Sequence, residues 1–184
     1  LSISHRSTLP IMRVADHVLR SDRTTGGRNG PLPIWYRSRT EDNGVQEAIG
    51  WLGRVSQRFP GGLILVLCRT ASEAQYVTSL IQPTFGAAVR LGSDESFSFE
   101  EGIVVSDVAQ VKGLEFENVL IWNPSAEAYP VSDQSQKLLY VAITRAEEHL
   151  CMVTWGHETS YLPSPSSRLM RVVEQEVEVK GEDY

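Results

Sequence analysis

The stretch "LILVLCRTASEAQYVTSLI", residues 63–81, joins two patterns. "LILVLC" is a continuous apolar run bounded by Gly61-Gly62 and Arg69, which suits a strand buried on both faces of a sheet. "TASEAQYVTSLI" then reads as the helix that follows it. The same alternation extends in both directions. Toward the start, Ser7 and Thr8 are placed to cap a helix with Pro10 in its first turn, and Ile11, Val14, Ala15 and Val18 recur at helical spacing. The expected helix covers 8–20, with Arg6 just ahead of it. "RSDRTTGGRNGP" is a polar, Gly-rich loop and "LPIWYR" a short strand. Val45, Ala48, Ile49, Leu52 and Val55 mark a second helix that stops before Pro60. Toward the end, "AAVRL", "GIVVS", "NVLIW" and "HLCMVTW" read as strands, and "SQKLLYVAITRAEE" as a helix. "YLPSPSS" is a linker and "RLMRVVEQEVEV" a closing helix or strand. Strands alternating with helices imply an α/β fold with a parallel sheet covered on both sides, and ligands are expected at the carboxyl ends of the strands.

With 184 residues, 41% of them hydrophobic and 22% charged, the chain has the material for one sizeable core. No run reaches the roughly 18 apolar residues of a membrane span, and the start lacks the pattern of a signal peptide. The expectation is a cytoplasmic protein. Because the chain begins with Leu1, an excised part of a longer polypeptide is also expected. Cys68 and Cys151 sit in apolar runs without zinc-site spacing and read as packed free thiols. A net charge of −6 argues against a domain that grips nucleic acid tightly by itself. Of 17 basic residues only Lys112, Lys137 and Lys180 are lysines; the rest are arginines, the better bidentate readers of phosphate.

The chemistry-bearing motifs are few. No Gly-Lys dipeptide occurs, so the chain has no phosphate loop of its own, and there is no G-x-G-x-x-G or G-x-S-x-G pattern. Asp94 and Glu95 follow a strand and read as solvated turn carboxylates. His5, His17, His149 and His157 have neither metal nor triad spacing, and no metal site is expected. Two constellations remain. In "VKGLEF" Gly113 permits a close backbone approach and Glu115 is able to accept hydrogen bonds from hydroxyls; a plain glycine turn with a Lys112–Glu115 surface pair is the alternative. In "LLYVAITRAEEH" Leu138, Leu139, Ala142 and Ala146 form an apolar helical stripe, while Arg145, on another face, reads by pattern alone as a solvated arginine.

In order and together, these segments resemble the second RecA-like motor domain of UvrD/Rep-type superfamily 1 helicases. "SHRST" (4–8) is similar to motif IV, "VKGLEFENVLI" (111–121) to motif V and "LLYVAITRA" (138–146) to motif VI. The resemblance implies a three-layer RecA-like domain over 1–160, with 161–184 as an extension packing on it and ending in an acidic tail. It implies an ATP site shared with an N-terminal RecA-like domain that supplies the phosphate loop and the Mg²⁺ ligands. Arg6 and Arg145 would be the arginine fingers at the γ-phosphate. Lys112, Gly113 and Glu115 would contact the nucleotide, with Glu115 toward the ribose. Tyr140 and Thr144 would orient the arginine helix, and Gln136 would serve communication across the cleft. Alone, the chain would not hydrolyse ATP.

Two departures qualify the resemblance. In DNA-translocating relatives motif V begins Thr-x-His, which meets the nucleic-acid backbone; here Asp107 and Ala109 stand at those places, and a carboxylate beside phosphates is unfavourable. Only about ten residues separate "AVRL" from "GIVVS", so the large domain that UvrD inserts in this half is absent. Both point to the helicase IV and HelD-like branch. The expected function is a DNA helicase or translocase acting mainly on single-stranded DNA. An ATPase that remodels a protein such as RNA polymerase, and a catalytically silent interaction module, are the alternatives.

Overall fold

The structure, a computed structural model, describes residues 6–93 and 97–175. His5, Asp94, Glu95 and the acidic tail lie outside the described residues. Seven strands among the described residues form one sheet: β1 (Ile34–Arg37), β2 (Leu63–Cys68), β3 (Val89–Leu91), β4 (Gly102–Asp107), β5 (Phe116–Trp122), β6 (Ala146–Thr154) and β7 (Arg171–Glu174). Their order across the sheet is β3-β4-β2-β5-β6-β1-β7, and every pairing is parallel. The α/β expectation therefore holds, with a sheet that is parallel throughout rather than mainly so. The closing segment resolves to a strand, β7, on β1.

Among the described residues four α-helices cover the sheet: α1 (Leu9–Val18), α2 (Glu41–Arg58), α3 (Ala71–Phe85) and α4 (Asp133–Ile143). Alternating strand residues divide the core between two faces. On one face Leu65, Leu67, Val119, Ile121, Leu150 and Met152 pack under α1 and α4. On the other, Ile64, Val66, Leu120, Trp122, Cys151 and Val153 pack under α2 and α3. Both cysteines are free and buried, and burial pushes their thiols up, well away from the reactive thiolate.

Side-chain caps start three of the helices: Thr40, Thr70 and Ser132 accept from the backbone N–H of Asn43, Glu73 and Ser135. The first helix differs from the expectation. Thr8 stands at the cap position but makes no capping bond; its hydroxyl is buried without a partner, and Ser7 Oγ donates instead to Ala146 O at 2.6 Å.

The expected helix 135–148 also needs correction. It ends at Ile143, and Ala146 already opens β6 by pairing with Phe116. Ala-Glu-Glu is a good helix former, but pairing with β5 and burial of Leu150–Val153 override that preference. Arg145 thus stands in the turn between helix and strand, and Ala146 belongs to no helical stripe.

The segment 108–115 is a connection without a helix. Ile103 and Asn118 both lie level with Ile64 of β2, so Asp107 and Phe116 are at opposite edges of the sheet, about 20 Å apart at roughly 3.3 Å per residue. The loop crosses that distance with Val108 and Val111 buried on the α1/α4 face. One end of it lies at the carboxyl edge and the other at the amino edge.

Candidate functional site

The sequence places ligands at the carboxyl ends of the strands; the predicted site residues gather instead at the amino ends of β5 and β6. Glu115 immediately precedes β5, and Arg145 immediately precedes β6. Phe116 N–H donates to Arg145 O at 2.8 Å, which fixes the two segments side by side. Arg6 is brought to the same edge because Thr8 N–H donates to Glu147 O at 3.0 Å and Ser7 holds Ala146. Three segments that are remote in sequence meet at one edge.

Arg145 is half-buried and strongly oriented. Its Nε donates to Val141 O (3.0 Å), one terminal nitrogen to Leu114 O (2.9 Å) and the other to Thr144 Oγ1 (3.2 Å). A guanidinium carries five N–H donors in a planar fork, so these bonds leave one donor on each terminal nitrogen. Burial lowers the pKa of Arg145, while Glu115 and Tyr140 oppose that shift; an arginine remains cationic regardless. Thr144 Oγ1 donates in turn to Val141 O at 3.1 Å, so it links the guanidinium to the last turn of α4. Tyr140 is half-buried beside it. Burial pushes its phenol up, with Asp16 adding and Arg23 and Arg145 opposing.

Arg6 is a contrast. Its side chain is 73% exposed, and its Nε lies 3.5 Å from Glu115 Oε2. This pairing replaces the Lys112–Glu115 pair that the sequence left open. Lys112 is exposed on the same loop. Gly113 has φ +85°, and nothing lies within 4 Å of where a Cβ would stand. The glycine is therefore required by the left-handed backbone rather than by crowding, and the space above it is open. Gln136 is turned away from this group: its amide donates to Val18 O at 2.8 Å and ties α4 to the end of α1.

The carboxyl edge has a different character. Asp107 is buried, and its Oδ1 accepts from the N–H groups of Ala109 (3.1 Å) and Gln110 (3.3 Å). This carboxylate thus closes the turn at the head of the crossing loop. A cleft of about 530 Å³ lies nearby at the ends of β2 and β5, lined by Arg69, Glu73, Asn123 and Glu127 among others. Arg69 gives Nε to Ala128 O at 3.2 Å and stands 5.8 Å from the Tyr129 ring centroid. Glu73 accepts from Arg69 N–H, and burial raises its carboxyl against the effect of Arg69. Among the described residues there is no cluster of His, Cys, Asp and Glu suited to a metal ion, and no helix is long and apolar enough to cross a membrane.

The sequence reading did not identify Arg28 and Glu148. They form an ion pair at the amino edge, and Arg28 also donates to Arg6 O and Glu147 O. Its one signal was an arginine among the glycines of "TTGGRNG".

This geometry can be set beside known proteins. Residues 102–153 match the family model of the UvrD-like helicase C-terminal domain; the segment runs from β4 through the crossing loop and α4 into β6. Over it the chain is similar to helicase C-terminal domains of that type. The fold agrees across nearly the whole chain with the crystal structure of the C-terminal domain of a possible DNA helicase from Lactobacillus plantarum WCFS1. The TM-score is 0.74 at 23% identity, covering 92% of this chain and 98% of that one. A second solved structure, the UvsW helicase from bacteriophage T4, is more distant, with TM-score 0.48 and 11% identity over 87% of this chain and 58% of that one. Nothing rests on that likeness. No curated protein matches the chain.

Proposed function

We propose that this chain is the C-terminal motor domain of an ATP-driven helicase or translocase and that its amino edge forms half of an ATP site. The observation that carries the reading is Arg145: a half-buried guanidinium held by Val141, Leu114 and Thr144, with one donor left on each terminal nitrogen. Such a fork is suited to phosphate oxygens, because its orientation is fixed before the anion arrives. Glu115 accepts from the ribose hydroxyls, Gly113 leaves the backbone open to the nucleotide, and Lys112 adds positive charge. Arg6 moves from Glu115 to the γ-phosphate; leaving an exposed pair at 3.5 Å costs little. The phosphate loop and the Mg²⁺ ligands belong to an N-terminal RecA-like domain in the same polypeptide. Gln136 couples α4 to α1 within this domain and helps transmit closure of the cleft. When ATP and Mg²⁺ are bound, they supply the scissile phosphoanhydride and neutralise its charge; this chain orients and stabilises.

The test is steady-state ATPase of the full-length protein. Arg145→Ala and Arg6→Ala are expected to lower kcat far more than they raise KM, and purified 1–184 alone is expected to be inactive. Unchanged turnover in either variant removes that residue from the site.

A second reading is favoured by Asp107. With a buried carboxylate at the place of a DNA-contacting Thr, the motor would act on a protein partner such as RNA polymerase, as in HelD-like enzymes. Single-stranded DNA separates the readings. Strong, salt-sensitive stimulation of the ATPase supports the DNA motor, and no stimulation at low salt supports the protein remodeller.

A further inference from the structure

We propose that Arg28 is a positioning residue for Arg6 and that the Gly-rich segment 26–30 is a strap holding the Arg6 segment to the start of β6. The inference rests on the reading of Arg6 as a phosphate-contacting residue. Arg6 precedes a helix whose expected cap is missing, so its placement depends on what its backbone touches. One terminal nitrogen of Arg28 donates to Arg6 O at 2.5 Å and lies 3.4 Å from Glu147 O. The other pairs with Glu148. A single planar fork thereby joins the Arg6 backbone to two consecutive residues of β6, the strand that begins one residue after Arg145.

The rest of the strap is fitted to the same task. Leu9 N–H donates to Arg28 O at 2.7 Å, so the two segments are joined through backbone as well as side chain. A Cβ on Gly30 would stand 2.5 Å from Thr8 Cγ2 and 2.8 Å from Thr8 Cβ, and one on Gly27 would stand 3.6 Å from Leu9 Cβ. Glycine at 30 is what allows the loop to lie directly on Thr8.

An exposed ion pair contributes little to stability, and the Arg28 and Glu148 side chains are 49% and 29% exposed. Geometry is a different matter, since a displacement of about 1 Å in a catalytic group costs up to roughly 10²-fold in rate. The strap would therefore act on turnover more than on folding.

The experiment measures ATPase of the full-length protein for Arg28→Ala, Arg28→Lys, Arg6→Ala and the Arg6→Ala/Arg28→Ala double variant, with melting temperatures recorded alongside. Arg28→Ala is expected to lower kcat about tenfold with KM for ATP within about twofold. Arg28→Lys should recover part of the loss, because an ammonium reaches a carbonyl but not all three acceptors. The double variant should be no slower than Arg6→Ala, since the strap acts through Arg6. Should Arg28→Ala slow the enzyme only by unfolding it, the lysine variant decides, because it keeps the charge; it is expected to lower kcat at an unchanged melting temperature. Normal kcat in Arg28→Ala while Arg6→Ala is slow overturns the strap alone, and so does an additive double variant. Normal kcat in Arg6→Ala overturns the phosphate reading of Arg6 and takes the strap with it.

Discussion

The two ends of the crossing loop, Asp107 and Glu115, are eight residues apart in sequence and lie at opposite edges of the sheet. At the Glu115 end Arg6 and Arg28 are paired with Glu115 and Glu148, but Arg145 keeps unused donors. At the Asp107 end, carboxylates are built into the edge: Asp107 closes its own turn, Glu73 and Glu127 line the cleft around Arg69, and Arg37 is held by Glu158 and Glu174. One edge holds a braced arginine with donors to spare; at the other, Arg37 is held between two carboxylates. The Lys-Gly-Leu-Glu residues and the Asp107 turn just ahead of them therefore lie in different surroundings, separated by about 20 Å along the strands.

The sharpest way to break this comparison is to remove the prepared cation. Arg145→Ala in the full-length protein is expected to lower kcat by about 10³-fold or more, the range of an arginine finger, with a melting temperature close to that of the parent. Arg145→Lys should recover little, since an ammonium cannot reach Leu114, Thr144 and a phosphate together. A loss of stability without a loss of turnover would reduce the amino edge to a structural joint.

A smaller effect is expected at the other edge. Asp107→Ala leaves the N–H groups of Ala109 and Gln110 without their acceptor and should cost about 1–3 kcal/mol in denaturant unfolding. Asp107→Asn keeps a carbonyl acceptor and removes only the charge. If nucleic acid passes this edge, Asp107→Asn should tighten single-stranded DNA binding about two- to threefold at low salt, the effect of one charge roughly 8 Å from a phosphate in water-like surroundings. Its ATPase in the absence of DNA should not change. Identical DNA affinity would mean that the nucleic acid, where bound, lies elsewhere.

Much of this architecture was legible in the sequence because continuous apolar strands and amphipathic helices alternate along the chain. The layers follow from "LILVLC" and "NVLIW" having no polar face to show to water. The site was legible as three motifs but not as a place. Arg145 read as helical because Ala-Glu-Glu favours a helix, and only the pairing of Phe116 with Ala146 ends α4 before it. The edge was misread because the rule of carboxyl-end ligands takes no account of a loop that crosses the sheet. Arg28 was hidden for a further reason: its partners are mostly backbone carbonyls, which carry no signature in side-chain spacing. Asp107 read only as a carboxylate unfavourable beside phosphates; its role in closing a turn was hidden because its partners are likewise backbone N–H groups.

The amino edge also has a second face, and the smallest prediction concerns it. His149 on β6 points toward α2, where its ring lies 5.2 Å from that of Phe59. Its Nδ1 and the Oδ1 of its register partner Asn118 are buried without hydrogen-bond partners among the described residues. Burial lowers the imidazole pKa below its ordinary 6.5, with Arg58 adding to the shift and Glu117 opposing it. The unfolded chain then binds the proton more readily than the folded one. Stability should fall as pH drops through 6.5 and level off below the folded-state value. His149→Phe removes that contribution, so its melting temperature should decline less than the parent's between pH 7.5 and 5.5, whatever its absolute level. Parallel declines would assign the acid sensitivity to carboxylates and mean that folding leaves the His149 pKa unshifted. A shallower decline would show that the α2/α3 face of this edge, where His149 packs on Phe59, excludes charge.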